Sequence, residues 1–197
     1  MADLVDFCTQ LLSSLTLMVH AALLAFAARW VLRKAGVSKK ESWPAFLRPA
    51  RDLASRVFSF LQSHALPLAA LIALAATLGS LFFSEVAGWE PCKLCWFQRI
   101  FMYPQAAILL LALWRKERSI WPYTLALSIL GGSISAYHYS TYLLSLGSTG
   151  VCSISGGPSC LINYFTSYGY ITLPLMAFTA SLSIALISWF WLREKKE

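Results

Sequence analysis

Four of the five cysteines form two pairs whose types and spacing suit thiol chemistry. Cys92 and Cys95 make a C-x-x-C motif directly after Pro91, and Cys152 and Cys160 flank a loop rich in Ser and Gly. A C-x-x-C pair at the start of a helix is typical of a redox centre or a metal site, because the helix N-terminus favours a thiolate. Two such pairs predict a relay in which electrons pass from one dithiol to the other.

The elements that must position these cysteines are predicted to be transmembrane helices. The chain has 197 residues, of which 58% are hydrophobic and only 13% are charged, whereas a soluble domain carries about 25% charged residues. Its apolar stretches approach or exceed the ~20 residues that span a bilayer as a helix, and they lack the alternation of membrane strands. We therefore expect an all-α integral membrane protein with five spans, at roughly Val5–Leu32, Leu66–Ser84, Phe97–Trp114, Ile120–Leu146 and Gly169–Leu192.

The distribution of charge predicts which loops face the cytoplasm. Lys and Arg crowd the segments between spans one and two, between spans three and four, and after span five, which places these segments inside. The segments Glu85–Trp96 and Gly147–Tyr168 hold one lysine between them and are expected outside. Both cysteine pairs therefore face the extracytoplasmic side, where disulfides persist. We interpret the net charge of +7 as these topology charges and expect no nucleic-acid partner.

Local geometry around the C-x-x-C motif favours a reactive thiol. Pro91 suits the first helical position, since its missing N–H would be unpaired there. Cys95 then lies in the first turn, and Arg99 follows one turn later and adds a positive charge near Cys95. The fifth cysteine, Cys8, is expected to be a buried thiol without a role. The first residues carry Asp3 but no Lys or Arg, so we expect no cleavable signal peptide.

Two further side chains suggest where the electrons go. Arg99 is a full charge near the outer boundary of its span, and His138 is expected at a similar depth in the fourth span. Ionisable residues within membrane helices usually serve a site. A quinone fits this site, because it is lipid-soluble, accepts two electrons, and has carbonyl oxygens that a cation stabilises.

Two other interpretations of the cysteines stay open at this point. Both pairs could be static structural disulfides. Four thiolates could also hold a zinc ion, although seven residues separate Cys152 from Cys160 and structural zinc sites usually have about two to four.

The motifs together resemble those of the disulfide bond formation protein B (DsbB) family. The resemblance rests on Pro91–Arg99 followed by Met102–Pro104, and on Ser159–Tyr164 through Gly169–Pro174. It extends over roughly Leu66 to Leu192 and is greatest for the short-loop, BdbC-like members. The vitamin K epoxide reductase family combines similar chemistry with a four-helix bundle, but its loop cysteines precede the C-x-x-C motif, whereas here they follow it.

The resemblance implies a fold, a function and a set of roles. It implies a four-helix transmembrane bundle in the bacterial cytoplasmic membrane that reoxidises an extracytoplasmic, DsbA-like thiol oxidase of the thioredoxin fold. The electrons would pass to ubiquinone or menaquinone. The implied roles are Cys92 and Cys95 as the quinone-facing pair with the thiolate on Cys95, Arg99 and His138 as quinone neighbours, and Cys152 and Cys160 as the partner-facing pair with the mixed disulfide on Cys152.

The N-terminal third of the chain departs from the family pattern. We expect residues 1–63 to form an extra transmembrane helix followed by a basic cytoplasmic segment, and residues 64–197 to form the DsbB-like redox domain. Within the basic segment, the helical spacing of apolar residues over 53–61 predicts a short helix lying on the inner membrane surface.

Overall fold

The computed structural model describes residues 2–34, 63–117, 119–144 and 159–194, and these form five α-helices. A π-helical turn at Phe82–Val86 extends the second helix. The predicted all-α membrane fold is confirmed. Cys152 and the expected surface helix over 53–61 lie outside the described residues. The helices are α1 Ala2–Lys34, α2 Ala65–Leu81, α3 Lys93–Arg115, α4 Trp121–Leu143 and α5 Leu173–Glu194.

Four of these helices are long and apolar enough to cross a membrane, namely α1, α2 with its π turn, α3 and α5. Helix α4 has the same 23-residue length as α3 and contains no Asp, Glu, Lys or Arg. Its serines, threonines and tyrosines make it less apolar than the others. Because α4 packs between α3 and α5, these polar side chains can be satisfied inside the bundle.

Helices α2, α3, α4 and α5 form a ring in which each helix packs against two neighbours, while α1 lies outside the ring against α5. Two glycines of α4 allow close approach. A Cβ at Gly131 would come within 3.2 Å of the Phe101 side chain, and one at Gly132 within 3.4 Å of Ser181. Small residues at such positions let membrane helices pack tightly without a hydrophobic driving force.

One end of the bundle, here called the tryptophan end, has a closely packed core. Ala69, Ala73, Leu109, Trp121 and Ile184 are almost completely buried there, and the indole rings of Trp121 and Trp191 stack 5.6 Å apart. The four-helix ring is therefore closed at this end, and any cavity must lie nearer the opposite end, which carries Cys92 and is called the cysteine end.

Three expected local features differ in the structure. Pro91 is not the first helical residue, because Cys92 is the N-cap with extended backbone angles and the helix begins at Lys93. The last helix begins at Leu173 rather than near Gly169, since Tyr168 and Gly169 both have positive φ and form a turn. Cys8 is half-buried rather than buried.

Candidate redox site

The C-x-x-C pair occupies the start of α3. Cys92 is the N-cap and Cys95 lies in the first turn, as expected for the second cysteine. Both are free thiols, and their Sγ atoms are 3.0 Å apart in a hydrogen-bond contact. Unpaired amide groups at this helix end favour negative charge, so the local backbone supports ionisation of the pair.

The cysteine of the second pair that the structure describes lies beside the first pair. Cys160 is disulfide-bonded and shares a buried cluster with Cys92 and Leu94, against which Cys95 also packs. Cys92 is 6% exposed and Cys160 is 3% exposed, so bulk solvent is largely excluded between them. The fold therefore brings one member of the loop pair close to the C-x-x-C pair.

His138 connects the two regions. Its Nε2 is 3.3 Å from the carbonyl oxygen of Cys160 and 3.7 Å from Sγ of Cys92. The side-chain amide of Gln98 donates to Nδ1 over 3.2 Å, which leaves the ring proton on Nε2 as the donor. His138 thus directs an N–H at the place where the two cysteine regions meet, and it also lines the cavity described below.

The proton of the reduced C-x-x-C pair is unevenly shared. The hydrogen bond from the Cys95 thiol, together with the contact with His138, lowers the pKa of Cys92 to about 4 despite burial. The sequence placed the thiolate on Cys95, whereas in this geometry the charge of the reduced pair resides on Cys92 while the Cys95 thiol donates. The expected role of Cys95 beside a quinone stays a prediction.

Arg99 lies one turn beyond Cys95 with an incompletely satisfied guanidinium. Its Nη2 donates to the carbonyl oxygen of Ser80 over 3.1 Å, and the group lies 5.1 Å from the Trp96 ring centroid. Its Nε is buried without a hydrogen-bond partner. A buried, unpaired cationic donor is costly, so this atom indicates that an acceptor binds here.

A cavity of about 340 Å³ borders these groups. We call it the thiol cavity, since Cys92, Cys95, Gln98, Arg99 and His138 contribute to its lining. Its size lies at the lower end of the range for sites that bind small molecules. Apolar side chains from α1, α2 and α5 line the remainder. A ligand with an aromatic, carbonyl-bearing head and an apolar tail fits this combination.

Aromatic rings hold the loop before α5 against the segment before α3. The Phe83 and Trp89 rings stack 4.8 Å apart, and the Trp89 and Tyr164 rings stack 5.0 Å apart. The Tyr164 hydroxyl also donates to the backbone carbonyl of Glu90. The three rings line the thiol cavity, and they tie the chain that follows Cys160 to the chain that precedes Cys92.

Sequence reasoning missed three contributors to the site. Ser80 anchors Arg99, Phe83 projects from the π-helical turn, and Gln98 orients His138. Gln98 stands next to Arg99 in the motif, but its role depends on the packing of α3 against α4. A π turn frequently marks a functional site, yet no residue pattern in this segment predicts one.

Cys92, Cys95 and His138 could also act together as metal ligands. Their ligand atoms all lie within 4.8 Å of one another, which supplies three of the four ligands of a typical zinc site. The fourth position would face the thiol cavity. This set differs from the four-thiolate set that the sequence left open.

Comparisons with known proteins agree with the resemblance. The sequence model of the family described as "Disulfide bond formation protein DsbB" matches residues 62–192. "Probable disulfide formation protein C" of Halalkalibacterium halodurans is 41% identical over 125 residues, which is 64% of this chain and 90% of the relative. "Disulfide bond formation protein C" of Bacillus subtilis is 37% identical over 127 residues, which is 64% of this chain and 91% of the relative. No solved structure matches.

Proposed function

This chain belongs to the disulfide bond formation protein DsbB family, and from that premise we propose that it is a membrane protein-dithiol:quinone oxidoreductase. In this proposal it reoxidises a thioredoxin-fold thiol oxidase outside the cytoplasm and so supports disulfide formation there. The observation that carries the proposal is the meeting of Cys160, His138 and the Cys92–Cys95 pair beside a cavity that holds the unpaired Nε of Arg99.

The first step takes place at the loop pair. Of the five cysteines, Cys8, Cys92 and Cys95 are free, and this supports Cys152 as the disulfide partner of Cys160. A partner thiolate attacks Cys152 and displaces the Cys160 thiolate. The second partner thiol then displaces Cys152, so the partner becomes a disulfide and the loop pair becomes a dithiol.

The second step transfers the electrons to the C-x-x-C pair. A thiolate of the loop pair attacks the Cys92–Cys95 disulfide at Cys92, which shares the buried cluster with Cys160. Cys95 leaves as a thiolate, close to the positive charge of Arg99. The Nε2–H of His138, which contacts both regions, stabilises the sulfur that carries charge during the exchange. Resolution of this intermediate closes the loop disulfide and leaves a reduced C-x-x-C pair.

The final acceptor fits the thiol cavity. A bound quinone would supply a two-electron acceptor that takes up two protons to become a quinol. Arg99 would hold a carbonyl oxygen through the donor that is unpaired in this structure, and its charge would stabilise developing negative charge on that oxygen. The cluster around Cys92 and Cys160 excludes water, which limits loss of the electrons to other oxidants.

The direct test of the partner-facing role is to trap the covalent complex. Cys160→Ala in the full chain removes the resolving thiol, so Cys152 is expected to accumulate a mixed disulfide with a thioredoxin-fold protein, identified by mass spectrometry. The Cys152→Ala/Cys160→Ala variant is the matched control and should capture nothing. Equal capture by both variants would contradict the assignment of the loop pair.

We also propose that both cysteine pairs lie on the extracytoplasmic side of the bacterial cytoplasmic membrane. The support is the charge pattern of the loops. A membrane-impermeant thiol reagent applied to intact, mildly reduced cells should label the loop cysteines. Labelling that occurs only after the membrane is permeabilised would place them on the other side and remove access to the proposed partner.

A second candidate function is zinc binding, which the cluster of Cys92, Cys95 and His138 favours. Purified reduced protein would then hold one zinc ion per chain and lose it in His138→Ala. Stoichiometric zinc with both thiols blocked and no quinone reduction would support this alternative over the redox function.

A further inference from the structure

Helix α1 borders the thiol cavity although it lies outside the part of the chain that the family model matches. The match covers residues 62–192, whereas α1 spans Ala2–Lys34. Leu12, Leu15 and Val19, at helical spacing on one side of α1, nevertheless line the cavity that also contains Cys95 and Arg99. The cavity is therefore completed by an element that the family pattern does not include.

Helix α1 is fixed to α5 by polar contacts with defined roles. Thr179 donates its hydroxyl proton to the carbonyl oxygen of Leu175, so it accepts from Nε2 of His20 over 2.7 Å. Nδ1 of His20 then accepts from the Tyr170 hydroxyl over 3.2 Å. The hydroxyls of Ser14 and Tyr168 are 2.9 Å apart. These contacts hold α1 at a set distance from the bundle on its α5 side.

The other side of α1 meets α2 through apolar contact only among the described residues. Leu12 occupies the space above Gly79, where a Cβ would lie 3.2 Å from its Cδ1. Farther along the same seam, Leu15 and Leu71 are 47% and 62% exposed although both line the cavity. The cavity thus reaches the lipid-facing surface of the protein between α1 and α2.

We propose that α1 forms one side of a channel for the isoprenoid tail of the quinone, with Leu12, Leu15 and Val19 contacting the tail where it leaves the thiol cavity between α1 and α2. This inference rests on the proposed function, since it names how the same site holds its lipid-borne substrate. The head group is bound near Arg99, and the tail follows the apolar seam into the bilayer. Quinone affinity then depends on α1 in proportion to the length of the tail.

Photo-cross-linking tests the contact without any need for turnover. A photoreactive benzophenone amino acid at position 15 is expected to form an adduct with a long-tailed quinone in lipid nanodiscs, detected by mass spectrometry. Position 11 is a matched control, because Leu11 is 48% exposed on the same helix but does not line the cavity. Equal adduct yields at positions 11 and 15, or no adduct at 15, would overturn the proposal.

Binding affinities then distinguish the tail from the head group. Leu12→Ala/Val19→Ala is expected to weaken binding of a long-tailed quinone roughly tenfold and to leave binding of a tailless quinone unchanged, whereas Leu11→Ala changes neither. An unchanged affinity for the long-tailed quinone would overturn the tail channel. If the double variant does not fold, the cross-linking yields decide alone. Failure of the wild-type chain to bind either quinone would instead refute the proposed function.

Discussion

The tryptophan end and the cysteine end of the bundle are built by the same four helices but serve different purposes. At the tryptophan end, alanines of α2 such as Ala69 and Ala73 pack directly against Leu109, Trp121 and Ile184. At the cysteine end the same helices enclose the thiol cavity. The difference teaches that packing at one end fixes the helix positions, so that the other end can keep an unfilled space at a constant shape.

Buried polar groups show the same contrast. Between the two ends, the amide of Gln105 donates to both the Thr124 carbonyl and the Ser128 hydroxyl, which fixes α3 against α4. At the cysteine end Arg99 keeps a buried Nε without a partner, next to the cavity. Trp121 also leaves its indole N–H unpaired, but it does not line the cavity. Only Arg99 combines an unsatisfied donor with room for a ligand.

The largest expected effect comes from removing the cavity-side sulfur. Cys95→Ser should reduce quinol formation by at least about a thousandfold, because no dithiol remains to transfer two electrons. Thermal unfolding, which depends on the tryptophan end, should change little. Cys8→Ser is the matched control, since Cys8 is also a free thiol, and it should retain full activity. Undiminished turnover in Cys95→Ser would remove the C-x-x-C pair from the mechanism.

The next largest effect is expected at the unpaired cation. Arg99→Ala should raise KM for quinone roughly tenfold to a hundredfold, the usual loss for a charged hydrogen bond, with little change in thiol exchange with the partner. Arg193→Ala is a suitable control, because Arg193 also lies over an indole ring, that of Trp189 at 4.7 Å, but does not line the cavity. An unchanged KM with failed thiol exchange would show that Arg99 serves the loop pair instead.

A smaller effect is expected at the histidine between the cysteine regions. His138→Ala should slow reduction of the Cys92–Cys95 disulfide by the loop dithiol about tenfold, since one hydrogen bond to a charged group is lost. Rapid mixing followed by acid quench and thiol counting measures this step. His138→Gln keeps a donor and should recover part of the rate. Equal rates in all three proteins would confine His138 to a packing role.

The low pKa of Cys92 predicts the pH dependence of the reduced pair. Alkylation of Cys92 in reduced protein should have a nearly constant rate between about pH 5 and 8 once the pH dependence of the reagent is removed, because the thiolate persists there, and it should fall as the pH approaches about 4. Since the folded chain has the lower pKa, ionisation stabilises the folded state, and this contribution is lost as the pH falls through about 4. Cys95→Ala removes the hydrogen bond and should shift the decrease to higher pH. A rate that rises continuously to pH 8 in the wild-type chain would contradict the assignment.

The smallest effect on chemistry is expected at the tryptophan end. Leu109→Ala should lower the free energy of unfolding by about 2–5 kcal/mol, because Leu109 is fully buried and its truncation leaves a void. The KM for quinone in the folded fraction should stay at the wild-type value. A large rise in KM with normal stability would show that the two ends are not as separate as their packing indicates.

Much of this architecture could be predicted from the sequence, because membrane helices are encoded by length, apolarity and flanking charge. The helix start near Cys92 was predicted within two residues, although Pro91 precedes the helix rather than opening it. The site was predicted only as far as its motif residues. The bond from Ser80 to Arg99, the orientation of His138 by Gln98 and the position of α1 beside the cavity depend on how helices pack against each other, which no local pattern specifies.

The central claim is that electrons removed from a protein dithiol arrive on a quinone through the two cysteine pairs. The most direct test is the stoichiometry of a single turnover, with reduced thioredoxin-fold partner and quinone in nanodiscs, in which partner disulfide and quinol are counted together. We predict one quinol for each disulfide formed in the wild-type chain. Partner oxidation without a matching amount of quinol would contradict the account.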